Sequence, residues 1–204
     1  MEFINKRWAG SLLALGAAQF MVAMMLGESI APGYSMHENA ISDLGTIAET
    51  AMLFNVSLIL IGLLNLAAGY VLYKVMDDKK ILIIFVLGGI GGMGAGAIPL
   101  DNPTGLHGIF ALLAFLFMNI EAIVVGRMAV SPLDKASILM GVLGLMFMPI
   151  MVMVDGGSLD VSGSIGHGGV ERMIAYPALI WMMAFGGYLM ASPELNGEQR
   201  TRAA

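Results

Sequence analysis

The 204-residue chain contains no cysteine and few charged residues. The absence of cysteine excludes a disulfide framework, thiolate metal ligands and a cysteine nucleophile. Only 12% of the residues are charged, compared with about 25% in an ordinary soluble domain. A soluble protein of this size could not cover its surface with so few charges. The net charge of −5 and the absence of any long Lys/Arg run also argue against a nucleic-acid partner.

Apolar residues dominate the chain, at 58% of the sequence with a mean hydropathy of +0.83. A helix needs about 20 apolar residues to cross a bilayer, and several stretches of the chain meet this requirement. They predict an all-α, polytopic membrane protein with one six-helix membrane domain over residues 1–191 and a short cytoplasmic tail over 192–204. The predicted helices cover residues 8–27, 51–73, 81–99, 105–127, 136–154 and 169–191.

The placement of lysine and arginine predicts how the bundle is oriented in the cell membrane. Cytoplasmic loops carry an excess of these residues. All but one of the 10 basic residues fall on one side of the predicted bundle, and the exception is Arg172. Both termini are therefore predicted to be cytoplasmic. The residues on that side are Lys6, Arg7, Lys74, Lys79, Lys80, Arg127, Lys135, Arg200 and Arg202.

The first outer loop carries the signals of a short helix. Ser35 and Glu38 have the spacing of a capping box, and Gly45 can end a helix. These signals predict a short helix over residues 36–44 at the outer surface of the membrane.

Glycine and proline predict how the long helices pack. The four-residue spacing of Gly88, Gly92 and Gly96 predicts that helix 3 packs closely against its neighbours. Pro149 and Pro177 lie inside helices 5 and 6, where proline favours a kink. We therefore expect these two helices to splay at their outer ends and to open a cavity there.

Ionisable residues crowd the predicted outer side, where they must lie near the edge of the hydrocarbon region. Such groups are costly unless they face the protein interior and are paired. Arg172, the lone outer cation, has a choice of acids that includes Asp43, Asp101 and Asp155, and pairing would lock the helix mouths together. The outer set comprises Glu28, His37, Glu38, Asp43, Glu49, Asp101, His107, Asp155, Asp160, His167, Glu171 and Arg172.

A thinner polar set lies deeper in the predicted membrane region. It contains Gln19, Asn65, Asn119 and Glu121. A carboxyl group inside a membrane is a candidate proton relay. The alternative for Glu121 is that its side chain extends towards the inner interface near Arg127.

These residues are compatible with three alternative functions. A metal-assisted membrane hydrolase of a lipid-like substrate would use His37, His107 and His167 with nearby carboxylates, although no HExxH motif is present. A small proton-coupled carrier would connect the outer residues to Glu121. A ligand-binding, lipid-binding or accessory protein requires no catalytic group. The residues identify no cofactor, and a homo-oligomer is compatible with all three.

Three segments resemble an uncharacterised prokaryotic membrane family, the domain of unknown function 998 family. Residues 39–45 resemble the N-x-I-S-D-L-G stretch of the family. Residues 98–107 resemble its helix 3–4 turn, which carries a proline, an aspartate and a histidine. Residues 168–181 resemble its final helix, which contains Glu-Arg. The resemblance covers about residues 8–191 and implies a six-helix membrane fold without an established reaction. It implies a site formed by Asn39, Ser42, Asp43, Asp101, His107, Glu171 and Arg172.

The sequence therefore predicts an integral membrane protein with an extracytoplasmic polar site at the helix mouths. His37 and His167 lie outside the residues that carry the resemblance, which weakens a three-histidine metal site. In a proton-handling role, His107 would be the natural group to carry the proton, because histidine is the side chain suited to that role near neutral pH. Arg172 would hold a lipid headgroup or a small anionic ligand bidentately, unless an internal acid already occupies it.

Overall fold

The computed structural model describes residues 5–191, and all regular secondary structure in that range is helical. The predicted tail over 192–204, with Arg200 and Arg202, lies outside the described residues. Two short 3-10 helices, Ile41–Gly45 and Gly126–Met128, accompany the long helices. The long helices are α1 (Lys6–Ile30), α2 (Ala51–Met76), α3 (Lys79–Ala97), α4 (Leu106–Val124), α5 (Leu133–Asp155) and α6 (Gly166–Ala191).

The described residues contain 6 helices that are long and apolar enough to cross a membrane, as the sequence predicts. Large apolar side chains remain exposed along them, including Met52 at 82% and Leu139 at 68%. Contiguous apolar surface of this kind is rare on soluble monomers. Contact with lipid chains avoids the free-energy cost of exposing this apolar surface to water. The protein is therefore an integral, multi-pass membrane protein.

The helices pack in a closed ring that follows the order of the chain. Each helix contacts the next one, and α6 closes the ring against α1. A further contact joins α4 and α6. We call the end that holds the loops over 31–50, 98–105 and 156–165 the upper end. The lower end holds the α2–α3 and α4–α5 connections.

Close backbone approach between α2 and α3 depends on glycine, as the glycine spacing predicts. A Cβ atom at Gly62 would lie 2.7 Å from both the Gly89 oxygen and the Met93 nitrogen. On α3, a Cβ atom at Gly96 would lie 2.7 Å from the Asn55 oxygen. Any larger residue at these positions would push the two helices apart.

The predicted helix over 36–44 is not confirmed. The residues before 39 form a turn, and a five-residue 3-10 helix occupies Ile41–Gly45 instead. Two contacts hold this segment out of a continuous helix. The Ala40 N–H, which a helix would direct to the Met36 oxygen, donates to the Asp43 carboxylate instead, and Arg172 donates to the Met36 oxygen.

The helices that contain Pro149 and Pro177 run uninterrupted through these residues. A cleft does open at the upper end beside α5, as described below. It lies between α4, α5 and α6 while both proline-containing helices remain continuous.

Candidate functional site

The α1–α2 loop folds back over the upper end and is fixed by its own side chains. The Asn39 side chain accepts a hydrogen bond from the Ser35 N–H (2.9 Å) and donates one to the Asp43 carboxylate (3.2 Å). The same Asp43 oxygen accepts from the Ala40 N–H at 2.9 Å, just before the 3-10 helix begins. Asn39 and Asp43 therefore shape the loop, and their polar groups are used within it.

Arg172 anchors this loop to α6 from one side. Its Nη1 donates to the carbonyl oxygens of Met36 (3.1 Å), Asn39 (3.1 Å) and Gly168 (2.8 Å). Its Nη2 donates to the Glu28 carboxylate and to the Tyr34 hydroxyl, each at 2.6 Å. The guanidinium is therefore largely saturated by the protein, and this cluster ties α1, the loop and α6 together.

Arg172 pairs with an acid of the outer set other than the three that the sequence analysis named as examples. Glu28, near the end of α1, forms the ion pair. Asp43 is used in the loop, Asp155 contacts His167 at 2.9 Å, and Asp101 is exposed with no hydrogen bond to the described residues. The rotational orientation of α1 determines this pairing, because it turns Glu28 towards the interior of the bundle.

Sequence reasoning missed Tyr34, which completes the Arg172 cluster. Its hydroxyl donates to the Ala40 oxygen at 2.9 Å while it accepts from Arg172. Burial raises the pKa of Tyr34 to about 12, so the hydroxyl keeps its proton at neutral pH and remains a donor. A tyrosine in a loop just after a membrane helix gave no sign of this role, because interfacial tyrosine is common in any membrane protein.

Glu171 anchors the same loop from the other side. Its Oε2 accepts hydrogen bonds from the backbone N–H groups of Ile41 and Ser42, the latter at 3.4 Å. The residue is only 3% exposed. No residue of the described chain forms a hydrogen bond with its second oxygen, Oε1.

His107 is held in one orientation at the start of α4. Its Nδ1 lies 2.8 Å from the Ile98 oxygen and 3.1 Å from the Ala95 oxygen. Because carbonyl oxygens only accept, Nδ1 carries a proton, and the neutral ring presents Nε2 as an acceptor. Among the described residues, none forms a hydrogen bond with Nε2, although His107 is only 3% exposed.

Two adjacent cavities meet at these side chains. The inner cavity, about 60 Å³, lies within the helix ring and has walls from α1, α2, α3, α4 and α6. The lateral cleft, about 280 Å³, lies between α4, α5 and α6 beneath the loop. Five residues line both cavities and form the boundary between them: Ser42, His107, Ala111, Phe115 and Glu171.

The lateral cleft reaches the lipid-facing surface of the bundle. Leu112 and Val152 line it and are 48% and 60% exposed. His167 and Asp155, paired with each other, stand at its upper rim. The cleft therefore has an apolar mouth towards lipid and a polar end formed by Ser42, His107 and Glu171, which we call the polar triad.

The histidines proposed as metal ligands do not assemble into one site. His37 is exposed with its Nε2 3.3 Å from the Ser164 oxygen, while His167 pairs with Asp155. Within residues 5–191, no group of three or more His, Asp or Glu side chains is arranged to hold a metal ion. The geometry thus supports a polar site without supporting a metal centre at these histidines.

Glu121 is sealed inside the bundle. It is fully buried, and its Oε1 accepts a hydrogen bond from Asn65 Nδ2 at 2.8 Å. It lines neither the inner cavity nor the lateral cleft. The side chain therefore does not extend to the inner interface, and neither cavity links it to the polar triad.

Comparison with known proteins identifies the family. The chain is an all-helical, multi-pass membrane protein, and a family model described as "Protein of unknown function (DUF998)" matches residues 14–188. The chain belongs to this family, as the three sequence segments indicate. No curated protein and no solved structure matches the chain.

The structure gives physical roles to the segments that carry the family resemblance. In residues 39–45, Asn39 and Asp43 shape the loop, while Ser42 contributes to the polar triad. The Gly168 that precedes Glu-Arg is needed because a Cβ atom there would collide with the Asn39 and Met36 oxygens. Of the seven site residues that the family resemblance implies, Ser42, His107 and Glu171 line the two cavities.

Proposed function

We propose that this protein binds an amphipathic, lipid-like molecule in the lateral cleft. The polar headgroup lies against Ser42, His107 and Glu171, and the apolar chain leaves through the cleft between α4 and α5. The observation that carries this proposal is the position of the polar triad at the inner end of a cleft whose mouth faces lipid. A water-soluble ligand would gain nothing from that apolar mouth.

The two unpartnered acceptors in the polar triad support the proposal. Glu171 and His107 are each only 3% exposed. Buried polar groups are normally hydrogen-bonded. The loop that covers them is fixed by the Arg172 cluster, so the site is preformed. A preformed concave site with a few placed polar groups is typical of small-molecule binding.

We also infer that the site faces away from the cytoplasm in the cell membrane. All described basic residues except Arg172 lie at or near the lower end of the bundle, which follows the usual cytoplasmic bias of lysine and arginine. A ligand would then enter from the outer leaflet, by lateral diffusion into the cleft.

A cavity-filling substitution tests the binding proposal. Ala111 lines both cavities, so Ala111→Phe should fill the space beside the polar triad. Ala97→Phe, at the same end of the bundle but on an exposed position, is the matched control. We expect native mass spectrometry of the purified protein to show loss of co-purifying amphiphile in Ala111→Phe only. Equal amphiphile retention in both variants would contradict the proposal.

A further inference from the structure

Glu171 is a buried carboxyl group that forms no ion pair with any residue of the described chain. Its hydrogen-bond donors are the backbone N–H groups of Ile41 and Ser42, and both contact Oε2. The neighbouring Arg172 directs its Nη1 and Nη2 to Glu28, Tyr34 and backbone carbonyls instead. Burial of a charge is costly unless it is paired, so Glu171 Oε1 is the natural position for an external cation.

The polar triad offers hydrogen-bond acceptors that face the cavities. Glu171 Oε1 and the Nε2 of His107 have no hydrogen-bond partner within residues 5–191, and these two residues form no ion pair with each other. The Ser42 hydroxyl, which can also accept, makes no hydrogen bond with the described residues. Three acceptors without donors call for a group that supplies several donors at once.

We propose that the headgroup bound at the polar triad is a protonated primary amine of a long-chain amphiphile. An ammonium group carries three N–H donors and no acceptor, which equals in number the acceptors that Glu171, His107 and Ser42 offer along the two cavities. Its positive charge supplies what Glu171 lacks. This inference rests on the proposed function and specifies the ligand class of the same cleft.

The same geometry disfavours an anionic headgroup. Arg172, which the sequence interpretation assigned to an anion, is occupied by Glu28 at 2.6 Å. His167, which lines the lateral cleft, contacts Asp155 at 2.9 Å. A phosphate or carboxylate headgroup would therefore meet the Glu171 carboxylate without a free cation to balance it.

Three amphiphiles with the same chain separate the headgroup inference from the binding proposal. Hexadecylamine, hexadecanol and hexadecyl phosphate are titrated into the purified full-length protein in detergent at neutral pH, and complexes are counted by native mass spectrometry. We expect the amine to bind about tenfold tighter than the alcohol, the scale of one charge-assisted hydrogen bond, and the phosphate to bind weakest. Equal binding of all three, or a preference for the alcohol or the phosphate, overturns the headgroup inference but leaves amphiphile binding intact. Binding of none overturns the proposed function itself.

Two variants test which side chains select the amine. Glu171→Gln keeps an acceptor for the Ile41 and Ser42 N–H groups but removes the charge, so amine binding should fall to the level of the alcohol. His107→Asn can keep a donor towards the Ile98 oxygen and removes the acceptor at Nε2, which should weaken amine binding without affecting phosphate binding. Asp160→Asn removes an exposed carboxylate at the same end and is the control. Unchanged amine binding in His107→Asn, or a retained preference for the amine over the alcohol in Glu171→Gln, would overturn the assignment, as would an equal loss in the control.

Discussion

Replacement of Arg172 should weaken the fold more than any other single loss of a charge at the upper end. Arg172→Met removes hydrogen bonds to three carbonyl oxygens, to Tyr34 and to Glu28. It also leaves the Glu28 carboxylate, whose side chain is only 12% exposed, without its partner. Breaking a buried ion pair in this way costs roughly 3–5 kcal/mol. We expect about 3 kcal/mol, because the pair lies at the end of the bundle and retains some access to solvent.

A double-mutant cycle measures how much of that loss belongs to the ion pair. Glu28→Leu alone leaves the guanidinium unpaired, whereas the double variant Arg172→Met, Glu28→Leu leaves no uncompensated charge. The double variant should therefore be more stable than the sum of the single losses predicts, with a coupling energy of about 2 kcal/mol. Equilibrium unfolding in mixed micelles gives each free energy of unfolding. The exposed Arg127→Met is the control and should change stability by less than about 0.5 kcal/mol.

Strict additivity in the cycle would refute this reasoning. It would mean that Arg172 and Glu28 stabilise the fold independently, and that the loop over 31–50 is held by other contacts. A loss in the Arg127→Met control as large as that in Arg172→Met would equally show that the effect is general to arginine and not specific to the cluster.

Three further predictions concern packing, the buried acid and orientation. Gly62→Ala should destabilise the protein by about 1–3 kcal/mol, because its Cβ atom would lie 2.7 Å from the α3 backbone. The control Gly187→Ala has open space around it and should leave stability unchanged or raise it. Thermal unfolding measures both variants. Glu121→Gln should leave amphiphile binding unchanged by native mass spectrometry, because Glu121 lines neither cavity; lost binding would contradict its separation from the site. Since the chain has no cysteine, the single variants Ser162→Cys and Lys79→Cys report the orientation when intact cells are labelled with a membrane-impermeant thiol reagent. Only the cysteine at position 162 should react. Reaction of the cysteine at position 79 alone would show the opposite orientation.

The sequence predicted the six membrane helices because each one exceeds the apolar length needed to cross a bilayer. It did not predict which face of each helix turns inward. Apolar side chains of a membrane helix face both lipid and the core, so hydrophobic periodicity does not mark the inner face. For this reason the pairing of Arg172 with Glu28, in place of Asp43, Asp101 or Asp155, emerged only from the structure.

The family segments predicted the site in part. Ser42, His107 and Glu171 are brought together at the two cavities, while Asp101, in the same segment as His107, is exposed and joins none of the described clusters. A motif shows that residues matter together but does not distinguish side chains that shape a loop from those that face a cavity. Asn39 belongs to the first kind, because both ends of its amide are used within the loop.

The central claim is that an amphiphile places its headgroup at the polar triad, and photo-crosslinking tests it most directly. A long-chain amine with a diazirine next to the nitrogen would be bound to the purified protein, irradiated and mapped by peptide mass spectrometry. The account predicts labels in residues 40–45, 107–115 and 166–175, and their loss in Ala111→Phe but not in Ala97→Phe. Labels spread over the lipid-facing surface, or insensitive to Ala111→Phe, would contradict it.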